Sequence, residues 1–178
     1  MAATTNRHAL GDAPKAVLKR WWHSISSENP SGSARADRAV LKRADNLLSV
    51  ACTAAYQRVY RDMATAHANE PWRAYQQERI AAIVALAAHV KESTAYSLPK
   101  AISHPTEGSD RNPVSELRFA RLLDAPDIEA LFTGLRRSLP LIGHAVDVLS
   151  LADDVYGWGD VVKKRWAYDY AWPKKSAD

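Results

Sequence analysis

A chain of 178 residues is long enough for one core of ordinary size or two small ones, and a hydrophobic share of 47% with six tryptophans excludes a disordered polymer. Lys plus Arg outnumber Asp plus Glu by 24 to 20, a net +4 that by itself points to no particular partner. Cys52 stands alone, which excludes an internal disulfide and a paired-cysteine zinc site, and no apolar run approaches the roughly 20 residues that span a bilayer. A soluble protein of the reducing cytoplasm, with no cofactor and no membrane partner, is therefore expected.

The first predicted helix carries Val17, Leu18, Trp21, Trp22 and Ile25 at helical spacing, has Pro14 in its first turn and ends near Ser26. Ser26 to Ser33 is turn chemistry. A second helix opens at Asp37 and runs through Val40, Leu41, Ala44, Leu47, Leu48 and Ala51, placing Cys52 on an apolar side as a buried, inert thiol. A third spans Tyr56 to Met63. Glu70-Pro71 then starts a long alanine-rich helix with Ile80, Ile83, Val84, Ala87 and Val90 on one face.

From Ser93 to Pro113 the pattern dissolves into Pro99, His104-Pro105, Glu107-Gly108-Ser109-Asp110 and Asn112-Pro113. A domain boundary is expected there, dividing the chain into 1–104 and 113–178. Beyond it come helices at Val114 to Leu123, at Asp127 to Leu139 with Asp124 as N-cap, at Ala145 to Leu151, and from Asp154 or Gly159 to Tyr170. No segment reads as a strand. The expected fold is all-α, two small helical bundles joined by a loop-rich linker.

Catalytic patterns are scarce. The six histidines include no His-x-x-x-His pair, and Gly157-Trp158-Gly159 lacks the Lys-Ser or Lys-Thr of a phosphate-binding loop. Asp147, Asp153 and Asp154 form the best acidic cluster, open to two readings: helix-terminal carboxylates, or the ligands of a metal-dependent hydrolase. A stand-alone DNA-binding regulator would need a recognition helix after a short turn, and no such pair is evident.

Basic residues are more suggestive. From Met1 to Arg43, Arg7, Lys15, Lys19, Arg20, Arg35, Arg38, Lys42 and Arg43 face only Asp12, Glu28 and Asp37. Arg35, Arg38 and Lys42 share one helical face, and Arg118 and Arg121 project opposite Phe119, Leu122 and Leu123. Arg136-Arg137 and Lys163-Lys164-Arg165 sit late in their helices, where cations contact phosphate or simply complement the helix dipole. Without base-reading motifs, any contact is to nucleic-acid backbone.

The order of these motifs resembles the small subunit, of CasB type, of the type I-E CRISPR Cascade effector. Trp22 followed by Asp37-Arg38-Ala39-Val40-Leu41-Lys42-Arg43-Ala44 is similar to that family's basic box, with Lys42 in place of arginine. Ser115 to Leu123, Leu135-Arg136-Arg137, then Asp147, Leu151, Asp154, Trp158, Trp166 and Tyr170 continue the likeness. The resemblance implies a non-catalytic subunit, present with a second copy of itself beside other Cascade proteins, the guide RNA and the displaced strand of target DNA. It carries nucleic-acid contacts onto Arg38, Lys42, Arg43, Arg118, Arg121, Arg136 and Arg137, and also onto Lys100, Lys163 and Lys164.

Overall fold

Short polar side chains set most helix starts in the computed structural model, which describes residues 9–67 and 70–174. Arg7 and His8 thus lie outside the described residues. α1 (Asp12–Ser26) buries Pro14, Leu18, Trp22 and Ile25. α2 (Gly32–Arg43) begins where Ser31 Oγ accepts the Ala34 N–H at 3.1 Å. Asn46 caps α3 (Leu47–Ala51) in the same way, accepting from Ser49, and α4 (Ala54–His67) and α5 (Ala74–His89) follow.

Beyond α5 come α6 (Leu98–Ile102), α7 (Glu116–Leu123), α8 (Ile128–Ser138), a 3-10 turn over Leu139–Ile142, α9 (Val148–Tyr156) and α10 (Asp160–Asp169). Ser115, Asp127 and Asp147 cap α7, α8 and α9. The fold is all-α as expected. Among the described residues, the one extended pairing is an isolated parallel bridge between Glu92 and Ala145.

Several local expectations are corrected. The helix expected from Asp37 to Ala51 is split, because Ala44 is extended and Asn46 captures the Ser49 N–H for a new helix start. Glu129 of α8 pins that start by accepting the Leu47 N–H at 3.0 Å. Cys52 consequently falls at the end of α3 and is exposed, not buried. The stretch from Ser93 to Pro113 contains α6, with Pro99 in the first turn, where a missing N–H is harmless. Asp124 ends α7 instead of starting α8, and α9 reaches Tyr156, so Asp153 and Asp154 lie within a helix.

From Ile80 to Val90, α5 and its C-cap are buried on all sides, wider than the one stripe expected. The alanines of α5 let neighbours approach closely: α2, α3 and α4 pack on it from the first half of the chain, α8 and α9 from the second. The buried apolar side chains form one continuous cluster around it.

Candidate nucleic-acid interface

α7 and α8 together build a positive groove. Phe119 and Leu122 are buried on the inner face of α7, which leaves Arg118 and Arg121 exposed on the outer one. The two helices approach closely at Gly134, where an added Cβ would stand 2.6 Å from Leu122 Cδ2. Arg137 of α8 lines the same groove of about 830 Å³ as Arg118 and Arg121. Two carboxylates border it, and both are engaged by backbone: Asp127 accepts from Ala130 at 2.8 Å and Glu129 from Leu47. Among the described residues none of the three arginines forms an ion pair.

The neighbouring Arg136 is turned to another surface, since successive helical residues are about 100° apart. Its guanidinium lies over the Phe132 ring at 5.4 Å and donates to the Lys42 carbonyl at 3.4 Å. Lys42 is half-buried, and burial together with Arg38 and Lys91 lowers its pKa. Arg38 has a different task. It donates to the carbonyls of Ile25, Ala88 and Val90 at 3.1, 3.0 and 2.9 Å, tying the ends of α1 and α5 together.

The other expected residues are scattered. Arg43, Lys100 and Lys164 are exposed. Lys163 donates to the Ala125 carbonyl at 3.4 Å and sits 5.5 Å from the Trp158 ring, while Arg165 pairs with Asp154. Lys91 joins the positive surface around Lys42 and Arg136, with the buried His89 ring and the half-buried His144 ring behind it, and sequence reasoning singled out none of the three. His89 and Lys91 stand together at the end of α5, but His144, Lys42 and Arg136 come from other segments, so no spacing in the sequence signals the cluster.

The three aspartates weighed as metal ligands have separate occupations. Asp147 caps α9 through the N–H groups of Leu149 and Ser150, and Asp153 accepts from Leu10 N–H and Lys15 Nζ. Asp154 is held by Trp166 and Arg165. Among the described residues no three His, Cys, Asp or Glu side chains are grouped to hold a metal.

The fold and surface define an all-α protein whose basic side chains gather on two faces, one between α7 and α8 and one where α2, α5 and α8 meet. Residues 37–170 match the family described as CRISPR-associated protein Cse2, and the chain belongs to that family. Two solved structures share the fold, a Cse2-family CRISPR-associated protein and CasB, both from Thermus thermophilus. Each has 25% identity and a TM-score of 0.63, covering 89% of this chain and 98% of the other. No curated protein matches. The CasB-type Cascade small subunit that the motifs resemble is this family. Among the described residues no helix is long and apolar enough to cross a membrane.

Proposed function

We propose that this protein is the non-catalytic small subunit of a type I-E Cascade, working in the cytoplasm beside other Cascade proteins and a second copy of itself. It grips nucleic-acid backbone and so stabilises the guide RNA–target DNA R-loop and the displaced strand. Opening a duplex against a guide is nearly balanced energetically, so backbone contacts to the freed strand decide whether the open state persists. In this reading the segment 113–178 supplies one gripping surface on its own, and the segment 1–104 contributes to the other.

The observation that carries the proposal is the meeting of Arg118, Arg121 and Arg137 from two helices on one groove, without an ion-pair partner among the described residues. Guanidinium groups suit phosphate, and an exposed cluster of them repels itself until an anion arrives. Arg43, Lys100, Lys163 and Lys164 would add weaker, screened contacts along the strand.

The test is the Arg118→Ala, Arg121→Ala double variant inside the assembled effector. Its thermal unfolding should stay close to wild type, because exposed substitutions usually change stability by within about 0.5 kcal/mol. DNA binding should weaken alike for all target sequences. The slope of log affinity against log salt should shrink by roughly 0.7 for each single-strand phosphate that is no longer neutralised. Unchanged affinity and slope in a folded, assembled variant would overturn the assignment.

A further inference from the structure

Positive groups also gather where α2, the end of α5, α8 and the turn after Ile142 converge. Arg136 reaches the Lys42 carbonyl, Arg38 reaches Val90, and the Lys91 N–H donates to the His144 carbonyl at 2.9 Å. Behind them the rings of His89 and His144 lie nearly parallel, 9° apart in tilt with centroids 6.4 Å apart. His89 is only 8% exposed. Its Nε2 and the Nδ1 of His144 are buried without a hydrogen-bond partner.

His144 also holds a left-handed backbone at φ 60, uncommon for a residue with a Cβ, and its N–H donates to the Leu139 carbonyl at 2.8 Å. Among the described residues no carboxylate forms an ion pair with Lys42, Lys91 or Arg136, and nearby Glu92 is exposed. From α1, the neutral Trp22 indole reaches the Val90 carbonyl. Uncompensated cations around two orphaned imidazole nitrogens are unfavourable in the free protein, and an anion relieves that arrangement.

We propose that Lys42, Lys91 and Arg136 form a seat for one phosphate group, with the His89–His144 pair as its floor. The proposal deepens the nucleic-acid reading above and rests on it, naming a backbone phosphate of the bound strand as the occupant. It joins the two halves of the chain through one ligand, since Lys42 and Lys91 precede the linker and Arg136 follows it.

A proton accompanies the phosphate. In the free protein burial holds both imidazoles below their ordinary value, His89 at about 4, and the surrounding cations push the same way. For His89 these are Arg136, Lys42, His144 and Arg38; for His144 they are Lys91, Lys42 and Arg38, with the nearby His89 backbone pulling the other way. A phosphate among these cations offsets the repulsion and raises the imidazole values. The complex then binds more protons than the free protein, so affinity rises as pH falls toward the free His89 value of about 4 and weakens in the other direction.

The experiment follows the imidazole resonances of the full chain by NMR while inorganic phosphate, a short oligothymidylate or a glutamate-rich peptide is added at several pH values. Phosphate and oligothymidylate should both move the His89 and His144 signals, with the oligothymidylate acting at far lower concentration. Lys91→Gln should weaken both by roughly tenfold, the scale of one charge-assisted hydrogen bond. His144→Asn, which tolerates the left-handed backbone, should weaken binding and lose more of it at low pH than at high, so that the rise in affinity with falling pH flattens. Arg118→Ala with Arg121→Ala should leave the phosphate response intact.

Silent imidazoles under phosphate and oligothymidylate, in a folded chain, overturn the seat. If oligothymidylate still binds through Arg118 and Arg121, the wider nucleic-acid reading survives that failure. Imidazoles that answer phosphate in a chain that binds no oligonucleotide keep the seat and sink the backbone assignment. A response to the peptide alone overturns a phosphate occupant in favour of an acidic protein surface.

Discussion

Asp154→Ala should destabilise the protein by about 3 kcal/mol, the upper end of what stranding a buried hydrogen-bond donor costs. Asp154 is 3% exposed on α9, and its carboxylate accepts from the fully buried Trp166 indole at 2.7 Å and from Arg165. These two bonds fasten α10 onto α9. Truncation strands the indole N–H in the core, whereas the Arg165 side chain, 53% exposed, turns out to water. For a chain of this size the loss corresponds to a fall in melting temperature of roughly 6 to 12 °C.

Asp154→Asn separates the hydrogen bond from the charge. Burial raises the Asp154 pKa more than Trp166 and Arg165 hold it down, so the native state retains this proton more tightly than the unfolded chain does. A raised acid value means that stability falls as pH climbs above the ordinary carboxylate range. The asparagine variant keeps an acceptor for Trp166, so it should cost less than half as much as alanine and should remove that part of the pH slope. Equal melting temperatures for wild type and Asp154→Ala would show that α10 does not depend on this contact.

Local physics was legible in the sequence wherever a helix carries its own signal. Arg118 and Arg121 are three residues apart opposite Phe119 and Leu122, so their exposure follows from helical geometry alone. That Arg137 joins them, and Arg136 does not, depends on how α7 crosses α8 over Gly134. The break at Ala44 was missed because apolar spacing continues across it, while the cap at Asn46 and the pull of Glu129 decide the matter. Cys52 moved to the surface with that break. His89 and His144 could not be paired from sequence, since the turn after Ile142 brings them together through the Lys91–His144 backbone bond.

Arg38 shows how far a shared helical face can mislead about role. It stands in the basic box with Lys42 and Arg43, yet its guanidinium is committed to three carbonyls at the ends of α1 and α5. A cation there complements both helix dipoles. Arg38→Ala should cost about 3 kcal/mol: the Ile25 and Ala88 carbonyls lose this donor, each buried orphan being worth roughly 1 to 3, while Val90 keeps the Trp22 indole at 3.2 Å. Arg38→Lys should recover little, because an ammonium cannot reproduce the planar fork. Exposed Arg43, further along α2, supplies the control, and its alanine variant should melt within about 0.5 kcal/mol of wild type. Weaker DNA binding by Arg38→Ala would then report a loosened joint beneath Lys42 and Lys91, not the removal of a phosphate ligand. The opposite result, an unchanged melting temperature with DNA affinity reduced as far as in Arg118→Ala with Arg121→Ala, would make Arg38 a phosphate ligand and its three carbonyl bonds dispensable.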